Sequence, residues 1–177
     1  MAQIYSVVRN GHQQKKFRDK LKVIYNSTCP ISESKNLNNL EAAHIIPFSE
    51  CVSINSNLAF TPYNGILMNK QIHRKEFETL KFTFDILNYK YISESQIEIP
   101  IILADHSLHL TVNQYKNKRI KLPSSCLYCL RYHYIEFLKK HNKSNLNINC
   151  SYLKDIHKID TSGAFDADND ALFLDVI

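Results

Sequence analysis

The chain has only three glycines in 177 residues, Gly11, Gly65 and Gly163. A glycine-rich phosphate loop and a dinucleotide fingerprint both need clustered glycines, so neither can be built here. No apolar run approaches the roughly 18 residues of a membrane span, and no membrane partner is expected. The stretch MAQIYSVVRNGHQQKKFRDK carries charge but no apolar h-region, so no secretory signal is expected. Five cysteines is an odd number; in a leaderless chain it points to reduced thiols and not to a disulfide framework. The expected setting is therefore cytoplasmic.

Charge is present, and unevenly. Residues 160–177 hold five aspartates and no Lys or Arg, which leaves residues 1–159 with all 22 basic residues against 12 acidic ones, a net of +10. A basic body with an acidic tail is a layout found in proteins that meet nucleic acid. Hydrophobic residues make up 44% of the chain, enough to bury roughly 70% of the unfolded surface at this length.

The pattern predicts one α+β domain spanning 1–159, with 160–177 as a tail. Phe17, Leu21, Ile24 and Tyr25 recur at helical spacing, so residues 12–25 read as an amphipathic basic helix carrying Lys15, Lys16, Arg18, Lys20 and Lys22. LEAAHIIPF reads as a strand ended by Pro47, and 49–65 as polar and irregular. Ile66, Leu67, Ile72 and Phe77 fit a short helix. LKFTFDI, YKYISE, QIEIPIIL and LHLTVN read as strands, and KNKRIKLP as a basic loop. A last helix runs from about Ser124, a fitting N-cap, to His141.

Three polar residues carry candidate chemistry: His44 at a strand end, Asn64 in a turn, and His73 on a helix nine residues later. A β-turn and two helical turns can return His73 to the side of His44, which makes a one-metal site with His44 as base for a water. Cys126 and Cys129 form a CxxC without a matched second pair, and they share a helical stripe with Leu130, His133 and Phe137, so they read as core. Asp166, Asp168 and Asp170 lack the glycine and glutamate of a calcium loop. Tyr89, Tyr91, Tyr128, Tyr132 and Tyr134 fit core or half-buried roles better than base stacking.

In order along the chain, several blocks resemble the HNH endonucleases of the His-Me finger (ββα-metal) superfamily, in a subgroup whose core reads LEAAHI-P. Arg9, Gly11-His12-Gln13 and Phe17-Arg18 resemble its basic lead-in. Leu21, Tyr25, Cys29 and Ile31-Ser32 resemble the segment before the first strand. Leu40 to Ile45 with Pro47 is the signature strand, and Asn64 to Met68 followed by Ile72-His73 resembles NGLLL----H. Ile120, Leu122-Pro123, His133 and Phe137 resemble the closing helix.

The resemblance implies a ββα core at about 27–86 with flanking helices and extra strands. It also implies hydrolysis of DNA phosphodiesters with a divalent cation, Mg²⁺ or Mn²⁺, in restriction or defence against foreign DNA. His44 would be the general base, Asn64 would brace its loop, and His73 would hold the cation. The basic helix, Lys15 to Lys22, would contact phosphates. Ala43 stands where many relatives have a metal-binding acid; Glu41, on the same strand face, is the candidate replacement, with pairing to an Arg or Lys as its alternative role. After His73 the chain reads RKEFETL, one residue longer than the family's spacing, so Phe77-Glu78 stands in for the usual Phe-Asp pair and Glu76 competes. Rival readings are a non-cleaving DNA-binding module and an RNA-directed nuclease. The oligomeric state is open, with a homodimer expected if both strands of a duplex are cut.

Overall fold

Gly11–Ile24 forms helix α1 because its apolar residues return every three or four positions, burying Phe17 and Leu21 and leaving Lys15 and Lys16 exposed. The computed structural model describes residues 11–54, 56–104 and 110–142; Arg9, the five-aspartate tail and Asp166, Asp168 and Asp170 lie outside the described residues. Strand β1 (Leu40–His44) pairs antiparallel with β2 (Gly65–Asn69), with Glu41 opposite Met68 and His44 opposite Gly65. Between them lie α2 (Phe48–Ile54) and short 3₁₀ turns, so the stretch expected to be irregular is partly helical. Ile66 and Leu67 belong to β2, not to the helix predicted for them.

Helix α3 (Lys70–Ile72) starts at Asn69, whose side chain accepts from the amide of Gln71 at 2.9 Å, and continues without a break as a π-helix, His73–Phe77. The second sheet is built on the long strand β5 (Gln96–Leu103). β3 (Phe82–Phe84) pairs with its C-terminal part, while the two-residue β4 (Lys90–Tyr91) and β6 (Arg119–Pro123) pair with its N-terminal part, all antiparallel. β6 is a strand where a basic loop was expected: Ile120 and Leu122 point inward and Lys121 outward, a period of two hidden by the lysines. Residues 111–115, expected to extend a strand, form a 3₁₀ turn instead.

Helix α4 (Leu127–Lys140) follows a 3₁₀ turn at Ser124–Cys126. Ser124 does not cap it; its hydroxyl donates to the carbonyl of Glu94 at 2.7 Å. Cys126, Cys129, Leu130, His133 and Phe137 are buried, as their shared stripe predicts. The domain is α+β, with one core joining α1, the hairpin, the sheet and α4. Among the described residues no helix is long and apolar enough to cross a membrane.

Candidate active site

His44 sits at the last position of β1, opposite Gly65. A Cβ on Gly65 would lie 2.7 Å from both Leu21 Cδ1 and Phe17 Cζ, so the glycine is there for close approach, its backbone being ordinarily extended. Phe17 closes on the hairpin and stacks on the His44 ring, centroids 4.7 Å apart and planes 23° from parallel. His44 Nε2 lies 2.7 Å from the carbonyl oxygen of Ala59. A carbonyl only accepts, so Nε2 carries the proton and Nδ1 holds the lone pair.

Asn64 is fully buried in the turn before β2. Its Oδ1 accepts from the amide of Ile46 at 2.7 Å, and its Nδ2 donates to the Ile46 carbonyl at 3.0 Å and to Cys51 Sγ at 3.1 Å. Its own carbonyl accepts from the amide of Ile45 at 3.0 Å. One asparagine thus clamps the two residues that follow His44. Burial pushes the Cys51 thiol up to about 12, so it serves this clamp as a neutral group.

His73 opens the π-helix, in which the amide of Glu78 donates to His73 O across five residues at 3.0 Å. The wide turn takes up the extra residue found after His73. His73 is buried between two carboxylates, Nδ1 lying 3.1 Å from Glu41 Oε2 and Nε2 lying 3.2 Å from Glu78 Oε1. Glu41 is also gripped by both Nε and Nη2 of Arg74, the alternative role expected for it. Burial disfavours the charged form of Glu41, but the bonds from Arg74 and His73 outweigh this and hold its carboxyl below the usual range. Glu76 is neither a solvent residue nor a neighbour of His73's ring. Its buried carboxylate accepts from the amides of Thr111 and Val112 at 2.7 and 2.9 Å and so caps the 3₁₀ turn there.

A cavity of about 540 Å³ is lined by His44, Pro47 and Phe48, by Phe77, Glu78 and Leu80, and by Tyr132, His133 and Glu136 of α4. It brings His44 and the acid beside His73 to one space. A second cavity of about 400 Å³, beside Tyr25 and Lys118, contains none of the predicted site residues. Among the described residues no group of three or more His, Cys, Asp and Glu side chains is assembled to hold a metal ion. What is assembled is a pair, His73 Nε2 and Glu78. With Nδ1–H pointing at Glu41, the Nε2 lone pair would face a carboxylate, and only a proton or a cation between them relieves that repulsion. Mg²⁺ keeps most of its waters and takes one or two protein ligands plus phosphate oxygens, so the donor set suits it.

The basic residues of α1 fare differently from one another. Lys15 and Lys16 are exposed and Lys20 is half-buried. Lys22 pairs with Asp19 at 2.8 Å. Arg18 Nη2 donates to the carbonyls of Leu37 and Leu40 at 3.2 and 3.0 Å, strapping α1 to the entrance of β1. Arg74 had no signal in the sequence; only the register of the hairpin brings it to Glu41.

A two-stranded hairpin with a histidine at the end of its first strand, followed by a helix bearing a second histidine, defines a ββα nuclease-type unit. Residues 29–85 match the HNH endonuclease family, which bears out the resemblance over this segment and supports a nuclease function for it. The chain matches no curated protein and no solved structure.

Proposed function

We propose that the protein is a cation-dependent HNH endonuclease that hydrolyses phosphodiester bonds of DNA, in restriction or other defence against foreign DNA. The observation that carries this reading is the His44 ring: fixed by Phe17 and by the Ala59 carbonyl, with its basic nitrogen identified, and lining the same cavity as Glu78.

His44 Nδ1 takes the proton of the attacking water, and the imidazolium that forms keeps its Nε2–H on Ala59 O. Asn64 holds the His44 loop through Ile46, so the ring does not reorient as its charge changes. His73 Nε2 and Glu78 are the side chains that would hold the cation. When bound, it supplies neutralisation of the scissile phosphate and of the leaving oxygen. Glu41 orients His73 through Nδ1, the usual place of a carboxylate behind a ligating histidine. Lys15, Lys16 and Lys20 line one side of α1 and contact backbone phosphates; Arg18, spent on two carbonyls, serves the fold.

A plasmid-nicking assay with Mg²⁺, with Mn²⁺ and with chelator tests the proposal on wild type and His44→Ala. Cleavage by wild type that needs the cation and disappears in the variant is the expected result. Binding without cleavage in wild type would make the chain a DNA-binding module, and selective cutting of RNA would replace the substrate.

A further inference from the structure

Arg74 is two-thirds exposed (66%), yet both arms of its guanidinium are spent on Glu41, a carboxylate only 15% exposed. That carboxylate touches one other described group, the Nδ1 of His73. A bidentate guanidinium is the most complete neutraliser a carboxylate can meet in a protein. It is also the group best matched to a phosphate, and it sits here next in sequence to the histidine of the cavity.

We propose that Arg74 is a removable mask on Glu41, drawn off by a DNA phosphate, so that substrate binding strengthens the hold of His73 on its cation. This rests on the nuclease reading above. Glu41 is the positioning residue: it fixes the ring and raises the basicity of Nε2 through Nδ1–H. With Arg74 in place much of its charge is cancelled. With Arg74 on a phosphate, the full negative charge faces the imidazole, and the positive charge that repels a cation has moved onto a group that the cation neutralises anyway. By linkage, whatever DNA does to cation affinity through Arg74, the cation does equally to DNA affinity.

Calorimetric titration of Mn²⁺ into the full chain tests the mask without relying on turnover. Glu41→Ala is expected to weaken Mn²⁺ binding about 10–100-fold. Arg74→Gln, without DNA, is expected to tighten it about two- to fivefold, the size of a partly exposed ion pair, and to do nothing in the Glu41→Ala background. In a His44→Ala background, which leaves the DNA intact, a bound duplex should erase the difference that Arg74→Gln makes. Arg74→Lys, which keeps the charge but loses the fork, should fall between. Unchanged or weaker Mn²⁺ binding in Arg74→Gln overturns the mask, as does tightening that persists without Glu41. A wild type that binds no Mn²⁺ with or without DNA overturns the nuclease reading and the mask together, whereas normal wild-type binding and cutting with an indifferent Arg74→Gln overturns the mask alone.

Discussion

The imidazole of His133 lies flat on the ring of Phe77, centroids 4.0 Å apart and planes 8° from parallel. Its Nε2 donates to Phe77 O at 3.3 Å, while Nδ1 accepts from the Thr83 hydroxyl at 2.9 Å. A histidine of α4 thereby holds the π-helix on which His73 sits. Beyond it, His141 donates to Leu80 O at 2.7 Å and Lys140 to Thr79 O at 2.6 Å, fastening the turn that follows.

Burial lowers the His133 pKa from 6.5 to about 4, so the folded state holds this group neutral. The sign follows: its contribution is complete above about 6.5 and is lost as the pH falls toward 4, because the unfolded chain takes up the proton first. The shift corresponds to about 3 kcal/mol across that window. Urea unfolding of wild type and His133→Gln from about pH 7 down to about pH 4.5 should show a steeper acid loss in wild type. Parallel curves would mean that other groups dominate.

His44→Ala should lower cleavage by at least about 10²-fold, the usual contribution of a positioned general base. Binding to uncleaved DNA and the unfolding midpoint should change little, since the ring is half-buried and contacts no phosphate in the proposed role. Filter binding beside the nicking assay separates the two effects.

Asn64→Ala should cost about 1–3 kcal/mol, because it strands the buried amide and carbonyl of Ile46. Asn64→Asp should cost more, since a carboxylate would face the Ile46 carbonyl where an NH₂ donates now. Denaturant midpoints at neutral pH check the ranking.

Gly65→Ala adds a methyl where Phe17 and Leu21 already stand at 2.7 Å. Overpacking of this kind costs about 1–3 kcal/mol. Phe17 must give way, and the ring that it supports is His44, so cleavage should fall further than stability predicts. Equal losses in Phe17→Leu and Gly65→Ala would support that route, to be read from kcat at saturating DNA.

Charge reversal of Lys15 and Lys16 should weaken binding to all DNA sequences alike and lower the salt slope by about one unit per lost contact. Reversal of Lys22, already paired with Asp19, should do less. Titrations by fluorescence anisotropy across a salt series provide the measurement.

Much of the site was legible because it is local. The run LEAAHI-P is a strand ended by a proline, and Asn64-Gly65 is the turn that starts its partner, so His44 and Asn64 meet by a simple hairpin. The cysteine stripe of α4 was readable from its spacing. Arg74 on Glu41 was not readable, since it depends on where β1 stops relative to the helix after β2. Glu76 looked like a surface acid, and only the return of the chain at Thr111 gives it partners. The strand at Arg119–Pro123 was missed because its outward residues are basic, although its inward alternation was visible.

An α-helix advances about 100° per residue, so an unabsorbed insertion between His73 and Phe77 would turn every later side chain by more than a quarter of a circle. The wide turn at His73–Phe77 works as a phase corrector: it spends the extra residue in one loop of backbone and returns the chain in register, Phe77 still over His133 and Glu78 still beside His73. Spacing between the second histidine and the following acid is therefore free to vary by one residue while the cavity keeps its shape, which makes a fixed-length sequence motif too strict a description of this corner of the molecule.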